Sequence, residues 1–143
     1  MQFAYEQAAL AAAQGEIPVG AIIVSNNQII GQGFNSPISL NDPTAHAEIV
    51  AIREACQTIQ NYRLPGDAVL YVTLEPCGMC AAAISFARLR RVYFGAYDVK
   101  GGGVEHGPRF FHQATCHHAP EIYGGLEERR AAELLKEFFR RRR

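Results

Sequence analysis

The sequence lacks three features that would by themselves assign a function class: a net charge, a long apolar run and a set of paired cysteines. Its 14 basic residues balance its 14 acidic residues, so no overall field attracts nucleic acid or a membrane surface, although local basic patches persist in neutral chains. No apolar run approaches the roughly 20 residues of a membrane span, and no basic segment followed by an apolar one opens the chain. We therefore expect a soluble, cytoplasmic protein.

The four cysteines are too few for a disulfide framework in a chain of 143 residues without a secretion signal. We expect buried, catalytic or metal-bound thiols instead. Cys56 lies on the apolar face of a predicted helix and is interpreted as a core residue. Cys116 stands beside His117 and His118 in an irregular segment, where solvated loop side chains are favoured over a second metal site.

The chain has no internal repeat and no long linker, and 48% of its residues are hydrophobic, which predicts a single domain over residues 1–143. Short strand patterns alternate with longer helical ones, as is typical of an α/β fold. The predicted elements are a helix over 3–14, a hairpin over 19–33, a helix from Thr44 to about Ile59, a strand over 68–73, a helix after Pro76, a strand over 91–95 and a helix over 126–143. The strand, helix and strand between 68 and 95 favour a parallel pair. Residues 98–119 form a long irregular segment, a kind that is often functional.

Two short stretches, "TAHAEIVAIREA" and "TLEPCGMC", contain the residues that indicate chemistry. His46, Cys77 and Cys80 offer one imidazole and two thiolates, and a catalytic zinc ion keeps three such protein ligands and one water. Glu48 is left free to transfer the protons of that water. A C-x-x-C pair alone also occurs in redox sites and structural zinc sites, but neither of these explains the His-x-Glu partner. The pattern therefore predicts a hydrolytic zinc site.

The spacing of His46 and Glu48 raises a geometric problem. Residues two apart on an ideal helix point about 200° away from each other and do not share a face. The pair fits one site if His46 lies at the capping end of the helix, or if the glutamate side chain reaches back around the first turn. The sequence leaves both arrangements open.

The motif "HAE" followed by "PCGMC" resembles the signature of zinc deaminases. The segments "PVGAIIV", "NDPTAHAEI", "NYRL", "LYVTLEPCGMC", "RVYFGAYDVK" and "LLKEFFRRRR" extend the resemblance to the bacterial tRNA-specific adenosine deaminases, from about Glu16 onwards. The resemblance implies a cytidine-deaminase-like three-layer α/β/α sandwich with a central mixed five-stranded sheet, one zinc ion per subunit and a homodimer. It also implies hydrolytic conversion of adenosine to inosine at the wobble position of a tRNA anticodon, with an arginine tRNA as the expected partner.

The same resemblance assigns roles to individual residues. The zinc ligands and the proton shuttle fall on His46, Cys77, Cys80 and Glu48. Contacts with the substrate fall on Asn35, Asp98 and main-chain groups of Ala47 and Glu75. Candidate RNA-binding residues are Arg88, Arg90, Arg91, Lys100, Arg140, Arg141, Arg142 and Arg143. Each arginine cluster by itself is equally consistent with a solvated helix end, and the resemblance favours RNA binding.

The resemblance weakens over residues 101–119, where this chain reads "GGGVEHGPRFFHQATCHHA" in place of a shorter, serine-containing stretch. Substrate contacts made by that loop cannot be transferred to this chain. A zinc deaminase of a free base or nucleoside, such as guanine, cytosine or adenosine, therefore remains the alternative, with the loop closing its pocket. An RNA-binding zinc module without catalysis is disfavoured because Glu48 is intact.

Overall fold

The computed structural model describes residues 1–142, and its elements follow the predicted order. They are α1 (Gln2–Ala13), β1 (Gly20–Ser25), β2 (Gln28–Phe34), α2 (Pro37–Leu40), α3 (Ala47–Ile59), β3 (Val69–Leu74), α4 (Gly78–Ala87), β4 (Arg91–Ala96), β5 (Glu121–Tyr123) and α5 (Glu128–Arg141). A short 3-10 turn over Phe110–His112 interrupts the irregular segment. Within residues 1–142, every helix is too short or too polar to cross a membrane.

The five strands form one mixed sheet in the order β2-β1-β3-β4-β5. β1 pairs antiparallel with β2 and with β3, whereas β3, β4 and β5 are parallel. The predicted five-stranded sheet and its parallel pair are therefore confirmed. Strand β5 was not predicted, because three residues are too few to show an alternation of apolar and polar positions.

The hairpin of β1 and β2 turns at Asn26 and Asn27, within the predicted polar turn. Both residues adopt positive φ angles, 51° and 58°, which matches the right-handed twist of the two strands. Asparagine tolerates this region better than other non-glycine residues. The sequence therefore specifies the register of the first two strands locally.

Helices cover both faces of the sheet. The larger buried cluster joins the inner positions of β1, β3 and β4 to α3 and α4, with Leu70, Val92 and Ala51 among its members. On the opposite face, Gly20 approaches α1 and Gly95 approaches Ala131 of α5. Successive strand residues point to opposite faces, so the two helix layers enclose the sheet in an α/β/α sandwich.

The start of α3 differs from the prediction. The helix begins at Ala47 with His46 as its N-cap, and not with Thr44. Thr44 instead donates hydrogen bonds from its backbone N–H and its hydroxyl to Asp42, at 2.9 and 2.7 Å. Threonine can form such local turns as readily as helix caps. The two-residue shift places His46 just outside the helix.

The packing of α3 on β2 generates a stability prediction. Gly31 lies directly under α3, where a Cβ atom would meet the carbonyl oxygen of Ala51 and would lie 2.8 Å from the Cβ of Ala55. We expect Gly31→Ala to lower the free energy of unfolding by about 1–3 kcal/mol through overpacking. Gly66 is the matched control, because a Cβ there meets no atom within 4 Å. Gly66→Ala should change the value by less than about 0.5 kcal/mol in urea titrations. Equal losses in both variants would contradict the close packing.

Candidate active site

Three metal-binding side chains meet where the N-termini of α3 and α4 approach each other. His46 Nδ1 lies 3.6 Å from Cys77 Sγ and 3.6 Å from Cys80 Sγ. A tetrahedral zinc ion, with bonds of about 2.3 Å to sulfur and about 2.0–2.1 Å to nitrogen, separates such atoms by about 3.6 Å. The donor set therefore fits zinc in both chemistry and spacing. Among the described residues it is the only group of three such side chains.

The two helix starts explain how the donors converge. His46 and Cys77 are the N-caps of α3 and α4, and both have extended backbones. Cys80 lies in the first turn of α4. Because His46 precedes the helix, its direction is not tied to the helical period, and it can share a site with Glu48. The capping arrangement is the one that the structure adopts, and both helix dipoles direct positive potential toward the thiols.

The electrostatics of the cluster favour a thiolate. The pKa of the Cys77 thiol is lowered to about 4, first by a hydrogen bond from Cys80 and then by one from His46. The same hydrogen bond, together with burial, raises the pKa of Cys80. The pKa of His46 is raised, chiefly by its hydrogen bond with Cys77. Metal ligation requires deprotonated thiols and a neutral imidazole, so a cation would compete with the protons held here.

Glu48 lies beside the cluster, in the first turn of α3, and is only 4% exposed. Its pKa is raised to about 7, mainly because burial disfavours the charged carboxylate, with a further contribution from Cys77. A carboxyl group with a pKa near 7 can both accept and donate protons at neutral pH. The Glu48 side chain lines a cavity of about 210 Å³ next to His46 and Cys77.

The cavity also brings together most of the predicted substrate residues. Asn35, Glu75 and Asp98 all line it, although they follow three different strands. Ala47 is fully buried, and its N–H donates a hydrogen bond of 2.9 Å to Asn35 Oδ1. Ala47 therefore orients Asn35 and does not itself line the cavity.

The Glu75 carboxylate has a role that sequence reasoning missed. Its side chain is completely buried, and it accepts hydrogen bonds from four backbone N–H groups and from a histidine ring: those of Asp98, Val104, Glu105 and His106, and His106 Nδ1. Burial opposes its ionisation, but these hydrogen bonds outweigh that effect and lower its pKa. From the sequence, only the main chain of Glu75 was expected at the site, because nothing in a linear pattern marks backbone donors 23–31 residues away.

The arginines of the α4–β4 connection lie far from the cavity. Arg91 begins β4, whereas the cavity follows the end of that strand, six residues and roughly 20 Å away. Arg91 pairs with Glu121 at 2.7 Å. Arg88 is the C-cap of α4 and Arg90 is exposed. This cluster is therefore not brought to the candidate active site, whereas the exposed Lys100 lies two residues beyond Asp98.

The basic end of α5 is differently placed. Arg140 and Arg141 pair with Glu137 at 3.2 and 2.9 Å. Arg142 donates a hydrogen bond of 2.6 Å to the carbonyl of Gly15, two residues before Ile17, which lines the cavity. The end of α5 is thereby close to one cavity wall. Arg143 lies outside the described residues.

Cys56 lies where the sequence predicts, whereas Cys116 and His118 are half-buried and not solvated as expected. All four thiols are free, and Cys56 packs against the main core cluster. Cys116 Sγ lies 3.6 Å from Ser85 Oγ, and His118 Nε2 lies 2.7 Å from the carbonyl oxygen of Leu89. Cys116, His117 and His118 therefore do not converge on a second metal site.

Similarity to known proteins extends over the whole chain. The family model of the cytidine and deoxycytidylate deaminase zinc-binding region matches residues 1–96. The chain is 56% identical over 143 residues to the tRNA-specific adenosine deaminase of Agrobacterium fabrum, covering 100% of this chain and 93% of that one.

Two solved structures are also similar. One, from biochemical and structural studies of A-to-I editing by tRNA:A34 deaminases at the wobble position of transfer RNA, has a TM-score of 0.92 at 56% identity, covering 94% of this chain and 97% of that one. The guanine deaminase of Bacillus subtilis has a TM-score of 0.62 at 41% identity, covering 67% of this chain and 61% of that one. The predicted cytidine-deaminase-like fold is confirmed, and the chain belongs to the cytidine and deoxycytidylate deaminase family.

Proposed function

We propose that this protein catalyses the hydrolytic deamination of adenosine to inosine at the wobble position of a tRNA anticodon. The observation that carries the proposal is the convergence of His46, Cys77 and Cys80 beside the buried Glu48, which lines a cavity of about 210 Å³. The choice of substrate is supported by the tRNA-specific adenosine deaminase of Agrobacterium, because its alignment with this chain spans all 143 residues. An arginine tRNA remains the expected partner.

The residues of the site suggest how the reaction proceeds. His46, Cys77 and Cys80 would hold a zinc ion, which lowers the pKa of a bound water to about 7. Glu48 accepts a proton as water adds to C6 of the adenine ring and delivers it to N1. It then takes up the proton of the new C6 hydroxyl group and transfers it to the departing amine as the C6–N bond breaks. The products are inosine and ammonia. A carboxyl group with a pKa of about 7 suits both transfers.

The position of the cavity constrains the substrate. Glu48 is buried, so an adenine stacked within a helix cannot reach it. A base splayed from a single-stranded loop can enter at small energetic cost. Asn35, which follows β2, and Asp98, which follows β4, would then contact the base. An anticodon loop meets these requirements.

We assign the phosphate contacts to the end of α5 and to Lys100. The ion pairs of Arg140 and Arg141 with Glu137 are exposed. Such pairs contribute little to stability, so both guanidinium groups remain available to phosphates. Arg88, Arg90 and Arg91 would contact only a more distant part of a tRNA.

We further propose a homodimer in which residues 1–143 form a single deaminase domain, acting in the cytoplasm where tRNA is used. Met79 and Phe86 lie seven positions apart on α4 and are 37% and 71% exposed. Apolar side chains on one exposed helix face are typical of a protein interface. Because Cys77 caps the same helix, this interface would lie near the candidate active site.

The metal assignment predicts that Cys80→Ala loses zinc and deaminase activity together, because two remaining ligands hold the ion too weakly. Elemental analysis of the purified protein measures the zinc. Cys116→Ala is the matched control, since its thiol lies outside the cluster, and it should retain one zinc per chain. Full zinc occupancy in Cys80→Ala would contradict the assignment of Cys80 as a zinc ligand.

The proton-shuttle assignment predicts a different outcome for Glu48→Gln. The variant should keep its zinc, while single-turnover deamination falls by about 10²–10⁴-fold, the usual contribution of a general acid and base. Glu54→Gln is the control, because Glu54 is an exposed carboxylate on the same helix. Loss of zinc from Glu48→Gln would reassign Glu48 as a ligand.

The substrate assignment predicts that replacing Arg140 and Arg141 together by alanine weakens binding of an anticodon stem-loop. Each lost phosphate contact should reduce the slope of log affinity against log salt by about 0.7–0.9. The double variant of Arg88 and Arg90 is the control, with an unchanged slope expected because that cluster lies far from the cavity.

A reduced salt slope in the double variant of Arg88 and Arg90, with an unchanged slope in that of Arg140 and Arg141, would overturn the assignment of phosphate contacts to α5. Salt-insensitive turnover of guanine by the wild type, with no inosine in the stem-loop, would identify a free-base deaminase instead. The similarity to the Bacillus guanine deaminase makes guanine the appropriate comparison substrate.

A further inference from the structure

The irregular segment after β4 is attached to the candidate active site through one buried carboxylate. We propose that the Glu75 carboxylate and the His106 imidazole form a clasp. This clasp fixes residues 98–106, and thereby holds Asp98, the residue of this segment that lines the substrate cavity. Both are positioning residues for substrate binding. The proposal rests on the proposed function for its substrate, but the clasp itself is a feature of the fold.

Glu75 joins the two halves of the site. It follows β3 and precedes Pro76 and the candidate ligand Cys77. Its buried carboxylate accepts hydrogen bonds from N–H groups at both ends of the segment. The N–H of Asp98 donates to Oε1 at 3.2 Å, and the N–H of His106 donates to Oε2 at 3.2 Å. One side chain therefore fixes the spacing between the metal ligands and the cavity wall.

The glycines of the segment fit this interpretation. A Cβ at Gly102 would overlap Oε2 of Glu75, so only glycine permits the backbone to come this close. The next residue, Gly103, donates its N–H to the carbonyl of Pro76 at 2.8 Å. The segment thus contacts the backbone before Cys77 as well as the carboxylate.

His106 completes the clasp. Its Nδ1 lies 2.8 Å from Glu75 Oε1, and because a carboxylate only accepts hydrogen bonds, Nδ1 carries the proton. The imidazole packs edge-on against Tyr97, with ring centroids 6.1 Å apart, and Tyr97 packs edge-on against the buried Phe94. The ring is therefore held by a hydrogen bond and by an aromatic contact.

The clasp acts on substrate binding and not on proton transfer. Asp98 lines the cavity and stands at one end of the clasped segment. Glu48 and His46 belong to α3 and its cap, and neither exchanges a hydrogen bond with residues 98–106. Release of the segment should therefore raise KM for the stem-loop, while kcat changes little.

The test compares His106→Leu with His106→Asn. Leucine removes the donor, whereas the asparagine amide places an N–H close to the position of Nδ1. Amide hydrogen exchange at Val104, Glu105 and His106 needs no substrate and reports the clasp directly. In His106→Leu we expect faster exchange and a KM about tenfold higher, because Asp98 is no longer held in place, with kcat within about threefold. His106→Asn should lie within about threefold of the wild type on every measure.

A second variant leaves His106 in place. Gly102→Ala pushes a methyl group against the Glu75 carboxylate and against the backbone carbonyl of Asp98, and should also raise exchange and KM, with zinc content unchanged. Unaltered exchange and KM in either His106→Leu or Gly102→Ala would overturn the clasp, as would equal impairment of His106→Leu and His106→Asn. A wild type inactive on the stem-loop would contradict the proposed function, whereas the exchange data would still decide the clasp.

Discussion

The approach of two helix N-termini to each other is the constraint on which the rest of the site depends. Three donors from two helices can converge only if α3 and α4 pack closely on the sheet, and small residues make this possible. Gly31 and Gly33 of β2 lie against the backbone of α3, and Ala51 and Ala55 present only methyl groups to the core. A larger side chain at these positions would displace α3, and with it both His46 and Glu48.

The surroundings of two buried carboxyl groups in the same cavity shift their pKa values in opposite directions. Glu48 has little compensation for its burial, so its pKa rises to about 7. Glu75 is equally buried, yet five hydrogen bonds stabilise its charged form and lower its pKa. Environment decides the role of each group. The first is suited to exchanging protons, whereas the second is suited to holding backbone in place.

The sequence predicted those features that depend on local spacing. The ligand set follows from short motifs, and the hairpin and the parallel pair β3–β4 follow from apolar patterns and turn residues. The N-cap position of His46 was only one of two arrangements left open, because threonine is a preferred N-cap and Thr44 stands two residues earlier. The contacts of Glu75 could not be predicted either, since their donors are backbone groups that any residue supplies. The distance of Arg88 and Arg90 from the cavity became apparent only once the direction of β4 was known.

The divergent sequence of residues 101–119 is compatible with a fixed backbone next to the candidate active site. Four of the five hydrogen bonds to Glu75 come from backbone N–H groups, which are independent of side-chain identity. Only Gly102 and His106 are tied to the clasp by their own chemistry. The other side chains can therefore vary while the backbone of the wall keeps its position. The position of Asp98 at the cavity is held in the same way, because its backbone N–H donates to the buried Glu75 carboxylate.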